Sequence, residues 1–293
     1  MIIDGKQVAA KLIAELKPNI TALKEPRFFG AVLVGENAAS RNFLKQKAKV
    51  AEELGVDFRL YELTNDVTTD DLRQEIGRLA SPKNCGGFIV QLPLPEHLDN
   101  KHYILNAIPK EKDVDLLSEK ALGAFYTGRH IISPPSVATV DQIFHEARLV
   151  NLRDLTVAVI GAGVLIGRPV GFWLQNRVGE LMVFDSSVKN LQEKLKDADV
   201  VVSGAGSAGL FGAKHLKDGA LVIDFGFNRT GDPSTGSPQP GSGQAGQVAK
   251  TVGDFNPTGA EERNISYTPT PGGTGPILVA KLYENFWKLN AEV

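Results

Sequence analysis

The run Thr156-Val157-Ala158-Val159-Ile160-Gly161-Ala162-Gly163-Val164-Leu165-Ile166-Gly167 sets the architecture of this chain. Five β-favouring apolar residues lead straight into a glycine turn, and the spacing predicts a helix from about Val164. This is a G-x-G-x-x-x-G variant of the dinucleotide fingerprint. Gly161 and Gly163 let the backbone turn tightly and approach a diphosphate, whose charge favours the N-terminus of the helix that follows. The next apolar run, Leu181 to Phe184, ends on Asp185. A carboxylate there accepts hydrogen bonds from ribose hydroxyls and repels a 2′-phosphate, which favours NAD over NADP. Arg168, close to the turn, keeps NADP open.

Working outward, strand and helix signals alternate along the whole chain. Asp4 is placed to cap a helix carrying Val8, Leu12, Ile13 and Leu16. Phe28 to Val34 is a continuous apolar run, as a strand buried on both faces requires. A helix over Ala38 to Leu54 stops at Gly55, and strands are expected at Phe58–Leu63 and Phe88–Gln91 around a helix over Thr69–Leu79. Leu92-Pro93-Leu94-Pro95 and Ser133-Pro134-Pro135 interrupt the pattern, because proline removes a donor and forces extended backbone. Further strands are expected at Val200–Ser203 and Leu221–Phe225. Strands separated by helices imply parallel, doubly wound α/β sheets. Between Gly231 and Gln247, eleven of seventeen residues are Gly, Ser or Pro, so this stretch reads as a mobile surface loop and not as a domain linker.

The 293 residues suit two domains of ordinary size. An apolar content of 42% excludes wholesale disorder, and a net charge of −2 argues against a surface built for nucleic acid or anionic membrane. Cys85 is the lone cysteine, so no disulfide within the chain and no Cys/His metal cluster is expected. No apolar run approaches the ~18 residues of a membrane span, and a soluble, cytoplasmic protein is the expectation.

The first half carries a second constellation. Ser40, Phe43 and Lys47 fall at i, i+3 and i+7, so one helix face presents a hydroxyl, an aromatic ring and an amine. An amine shielded from water loses its proton more easily and can serve acid–base chemistry. Taken alone, with Lys45 and Lys49 flanking it, Lys47 reads first as an ordinary solvated lysine. Gln91 closes an apolar strand at the sheet edge where α/β proteins gather ligands. Asp115 suits an amino-pyrimidine edge, a cation or a helix cap.

Ile3-Asp4-Gly5-Lys6, the S-x-x-F-x-x-x-K stretch, Val90-Gln91-Leu92-Pro93-Leu94-Pro95, Lys112-Asp113-Val114-Asp115, Val222–Asn228 and Thr268-Pro269-Thr270-Pro271-Gly272-Gly273-Thr274-Gly275-Pro276 occur in one order. In these motifs the chain resembles the bifunctional methylenetetrahydrofolate dehydrogenase/cyclohydrolase family over nearly its full length. The resemblance implies a three-layer N-terminal α/β domain over 1–117, a Rossmann-type NAD(P) domain over 118–276, a cleft between them, and a C-terminal helix over 277–293 returning to the first domain. It also implies a homodimer acting on tetrahydrofolate derivatives, with NADP or NAD accepting hydride from 5,10-methylenetetrahydrofolate and water then converting the methenyl product to 10-formyltetrahydrofolate. Lys47 falls at the catalytic lysine position, Gln91 at its hydrogen-bonding companion, and Asp115 at the pterin-reading carboxylate. Phe43, Pro271, Gly272 and Gly273 fall at folate contacts. Gly161, Ala162, Gly163, Gly167, Arg168, Asp185 and Phe227 fall on the cofactor side, and no metal is implied.

Five positions in four segments depart from the family. Phe43 stands for a tyrosine, Leu116 for the glycine after the DVD triplet, Ser133-Pro134-Pro135 for Cys-Thr-Pro, and Gly163 for a serine. Phenylalanine stacks but cannot hydrogen-bond a water or an amine, so a weakened cyclohydrolase is expected. A catalytically silent folate or NAD binder would fit these departures. Another two-domain dehydrogenase would share the architecture without needing VQLPLP or TPTPGGTGP.

Overall fold

A computed structural model describes residues 1–229 and 250–291. The Gly231–Gln247 stretch read from sequence as a loop lies outside the described residues, as do the last two positions of the expected C-terminal helix. The chain divides into two compact units, one of Ala9–Pro135 with Val279–Val293 and one of Met1–Val8 with Ser136–Leu278. These divisions differ from the 117/118 and 276/277 boundaries read from sequence.

The first unit holds α1 (Gly5–Thr21, entering from the other unit), β1 (Phe28–Val34), α2 (Ala38–Leu54), β2 (Asp57–Leu63), α3 (Thr69–Ala80), β3 (Cys85–Val90), α4 (Lys101–Leu105) and α5 (Glu119–Tyr126). Its sheet is parallel in the order β2-β1-β3. Every residue of β1 is buried, because alternate side chains feed two cores. Phe29, Ala31 and Leu33 join Ile13 and Leu16 of α1, Leu44 and Ala51 of α2, and Tyr283 and Phe286 of the C-terminal helix. Phe28, Val32 and Val34 join Leu72 and Ile76 of α3 and Ile104 of α4. The result is three layers with the continuous apolar strand at the centre, as the run of FFGAVLV demands. Burying a phenylalanine such as Phe29 contributes roughly 1.5–3 kcal/mol, and its ring lies 5.2 Å from that of Tyr283.

The second unit follows with α6 (Pro135–Glu146), β4 (Thr156–Ile160), α7 (Gly167–Leu174), β5 (Glu180–Phe184), α8 (Leu191–Lys194), β6 (Val200–Ser203), β7 (Phe211–Gly212), β8 (Leu221–Asp224), β9 (Asn228–Arg229), β10 (Thr251–Val252), β11 (Phe255–Asn256), β12 (Ser266–Tyr267) and α9 (Thr274–Ala291), whose later turns belong to the first unit. Its five-stranded sheet has the order β12-β8-β6-β4-β5, all parallel. The N-terminal residues extend that sheet: Ile3 N donates to Tyr267 O at 2.9 Å, and Tyr267 N to Met1 O at 3.0 Å. These bonds account for the place of Met1–Val8 in the second unit. The helix after the glycine turn begins at Gly167, later than the expected Val164. Gly167 has to press on the Gly161 carbonyl, whose oxygen lies 1.6 Å from where a Cβ would stand, so the turn is completed before the helix starts.

Leu116 is the point of strain in the first unit. Its φ is +52°, in the left-handed region where a side chain is unfavourable. The side chain is fully buried with Ala121 and Ile132, so it packs into the core. Leu116→Ala is expected to lower the unfolding free energy by about 2–5 kcal/mol. Leu116→Gly removes a further methyl, worth about 0.8 kcal/mol, but relieves roughly 1 kcal/mol of left-handed strain. Urea denaturation should therefore find the glycine variant no less stable than the alanine variant. A glycine variant weaker by about 1 kcal/mol, the ordinary backbone-entropy cost of glycine against alanine, would contradict the strain.

Candidate active site

On the first unit the site is built from the buried face of α2. Asn37 caps the helix, its Oδ1 accepting from Ser40 N at 2.9 Å, and Gly55 ends it at φ +75°. The buried residues between are Ser40, Leu44, Lys47, Ala51 and Leu54. One lysine thus occupies a stripe that is otherwise apolar from Leu44 to Leu54. Lys45 and Lys49 are exposed, whereas Lys47 is 8% exposed and its Nζ donates to Gln91 Oε1 at 2.9 Å. The solvated-lysine alternative does not hold. Gln91 is fixed from the other side, its Nε2 donating to Leu92 O at 2.7 Å and its backbone N to Val32 O at 2.9 Å. The Leu92–Pro93 bond is cis, and Ser40 Oγ reaches Leu92 O at 3.4 Å. Phe43 is half-buried one turn before Lys47.

Asp115 completes this group. Burial pushes the Lys47 amine down from its ordinary pKa, and the Asp115 carboxylate partly restores it. Burial in turn raises Asp115, and Lys47 opposes that rise. The rest of the KDVD segment fixes the backbone around it. Lys112 Nζ donates to Ala80 O at 2.7 Å, Ser81 O at 3.1 Å and Pro82 O at 2.8 Å, satisfying carbonyls at the end of α3. Asp113 is fully buried and accepts from Leu117 N at 3.2 Å and Ser118 N at 2.7 Å. Burial raises its carboxyl to about 6. The helix-capping role open to Asp115 in the sequence belongs to Ser118, whose Oγ accepts from Ala121 N at the start of α5.

On the second unit the glycine turn has the form a diphosphate needs. Gly161 takes φ +96°, and a Cβ there would meet Gly204 O at 2.7 Å, while a Cβ on Gly163 would point into open space. Gly161 N donates to Phe184 O at 2.8 Å, which sets Asp185 beside the turn. Asp185 Oδ1 accepts from Ser187 N at 2.9 Å and Ser187 Oγ at 2.6 Å, bonds that hold its carboxyl below the usual range. Arg168 bends back, its Nε donating to Ala162 O at 2.9 Å. These residues fit a dinucleotide: an open glycine cradle, a helix start, and an exposed carboxylate at the next strand end.

Pro271, Gly272 and Gly273 lie on a turn with a cis Thr270–Pro271 bond and φ +101° at Gly272. Gly5 packs on it, since a Cβ there would lie 1.7 Å from Gly273 O. Thr270 Oγ1 donates to Gly226 O at 3.4 Å, joining this turn to the segment that carries the half-exposed Phe227. Beneath that segment lie two buried carboxylates, Asp224 and Asp254; Asp254 carries no local sequence signal, because its donors come from distant parts of the chain. Among the described residues no group of three or more His, Cys, Asp or Glu could hold a metal.

Residues 3–115 match the catalytic domain described as tetrahydrofolate dehydrogenase/cyclohydrolase, and residues 134–292 match the NAD(P)-binding domain of the same description. The chain is 33% identical over 287 residues to the bifunctional protein FolD 2 of Geobacter metallireducens, covering 97% of this chain and 94% of that one. The crystal structure of the FolD methylenetetrahydrofolate dehydrogenase/cyclohydrolase from Campylobacter jejuni superposes with a TM-score of 0.86 at 31% identity, covering 100% of this chain and 98% of that one. The Trypanosoma brucei enzyme, solved with NADP and an inhibitor, superposes with a TM-score of 0.87 at 28% identity, covering 100% and 97%.

Proposed function

The chain belongs to the tetrahydrofolate dehydrogenase/cyclohydrolase family, and on that premise we propose that Lys47, Gln91 and Asp115 perform its folate chemistry. The protein oxidises 5,10-methylenetetrahydrofolate with NAD(P)+ and hydrolyses the methenyl product to 10-formyltetrahydrofolate. The observation that carries the assignment is the buried Lys47 amine held on a neutral amide, 2.9 Å from Gln91 Oε1.

In the first reaction the bound nicotinamide supplies the hydride acceptor. The chain's own contribution is position: Phe43 stacks on the pterin and Asp115 accepts hydrogen bonds from its amino-pyrimidine edge. In the second reaction water adds to the cationic methenyl carbon. Lys47, whose ammonium form burial destabilises, takes the proton of that water when its amine is free. It returns a proton to the folate nitrogen as the carbon–nitrogen bond opens, and one proton is released overall. Gln91 keeps the amine aimed through both transfers. Phe43 has no hydroxyl to hold the water, so the hydrolytic step is the weaker of the two.

On the nucleotide side, NAD serves at least as well as NADP, because the Asp185 carboxylate would repel a 2′-phosphate and no arginine enters the glycine turn before Arg168. Val183, 49% exposed on the edge strand β5, supports a homodimer assembled through the second unit. A cytoplasmic setting agrees with the single free thiol, Cys85.

Following decay of the methenyl chromophore, with uncatalysed decay subtracted, tests the folate assignment. Lys47→Met should lower hydrolysis by about 10²-fold or more, and Phe43→Tyr should raise it. Hydrolysis unchanged in Lys47→Met would overturn the role of that amine. The cofactor reading is tested by kcat/KM with each nicotinamide. Asp185→Ser should shift the NADP/NAD ratio toward NADP by roughly tenfold, as loss of a like charge at short range implies; a wild-type enzyme that strongly prefers NADP would refute the reading of Asp185.

A further inference from the structure

Asp254 is fully buried and outside the chemistry just described, yet five donors converge on its two oxygens. Ser203 Oγ donates to Oδ2 at 2.7 Å, Ala205 N at 2.9 Å and Gly206 N at 3.2 Å, while Ser207 N donates to Oδ1 at 2.8 Å and Asn228 Nδ2 at 3.2 Å. Three of these are consecutive backbone N–H groups, with Gly206 at φ +66°. Such a run of amides is an anion-binding nest, and here an internal carboxylate fills it.

The loop so held touches the dinucleotide turn directly. A Cβ on Gly204 would lie 2.8 Å from Ile166, and a Cβ on Gly161 would lie 2.7 Å from Gly204 O. Asp254 also reaches the other side of the same site. Asn228 follows Phe227, and Gly226 precedes it with its would-be Cβ 2.3 Å from Asp254 Oδ1. The neighbouring Asp224 braces the same segment, accepting from Gly226 N at 2.7 Å and Phe255 N at 2.9 Å. Burial and the adjacent Asp254 push its carboxyl up to about 7.

We propose that Asp254 is a positioning residue for NAD(P), filling the amide nest of Ala205–Ser207 so that this loop shapes the dinucleotide turn while Asn228 and Gly226 hold Phe227. The proposal rests on the reading of Gly161–Gly167 as that turn. Its own signature is in the ligand-free protein: Ala205 and Gly206 are exposed residues, yet their amides are bonded inward. Hydrogen exchange should find these amides protected in the wild type. Asp254→Ala should unprotect them and weaken NADH binding, read by nicotinamide fluorescence, about tenfold or more. Added formate, a carboxylate small enough for the vacated nest, should restore both protection and affinity.

If Asp254→Ala fails to fold, Ser203→Ala, which removes one donor and keeps the carboxylate, should weaken NADH binding several-fold. Wild-type amides that exchange freely would overturn the proposal. So would Asp254→Ala binding NADH as the wild type does, Ser203→Ala doing so where the alanine variant does not fold, or a loss of affinity that formate does not touch. Gly163→Asp separates the two readings, since it sets a carboxylate against the diphosphate without touching the nest. Should Gly163→Asp bind NADH normally, the turn reading fails. Should it lose NADH while Asp254→Ala does not, only the role of Asp254 fails.

Discussion

Lys47 sits where an alanine or leucine would pack at no cost, and its ammonium form is penalised there by lost hydration. Its partner at 2.9 Å is the neutral amide of Gln91, which orients the nitrogen without pinning it as a cation. Asp115 supplies a moderating negative charge. Much of the first unit serves to maintain this arrangement. Val32 in the fully buried strand anchors Gln91 by its backbone, Tyr283 of the C-terminal helix donates to Lys47 O at 2.8 Å, and Lys112 and Asp113 clamp the loop that presents Asp115. Removing any one of these supports loosens a contact on which the acid–base chemistry depends.

The second unit answers a different constraint, the close approach of backbone to backbone. Gly167 rests on the Gly161 carbonyl, Gly161 on Gly204, and Gly5 on Gly273, each at a spacing a Cβ would violate. Such contacts rule out side chains at those positions and keep the turns tight enough for a diphosphate and a planar ring to approach main-chain atoms. The carboxylates beneath the sheet edge then fix loops that have little side-chain packing of their own.

Legibility in the sequence followed the range of the interactions. The strands FFGAVLV and TVAVI and the glycine turn between β4 and α7 were readable because apolar runs and glycine spacing are local signals. Lys47 was half-readable: the Ser40, Leu44, Lys47, Ala51 stripe marks a buried face, but adjacent lysines hid which of them it buries. The strand β12 and its pairing with Met1–Ile3 escaped notice, since two residues beside a proline–glycine segment carry no periodicity. Asp254 was invisible for the same reason, its donors being 26 to 51 positions away.

The central claim is that burial on α2 makes Lys47 an amine able to accept a proton. Its direct measure is the titration of the Lys47 side chain by lysine Cε NMR, with the resonance assigned by its absence in Lys47→Met. The account predicts a midpoint below the ordinary 10.5, and a further fall in Asp115→Asn, where the opposing charge is gone. A Lys47 that titrates at or above 10.5, unmoved by Asp115→Asn, would contradict it.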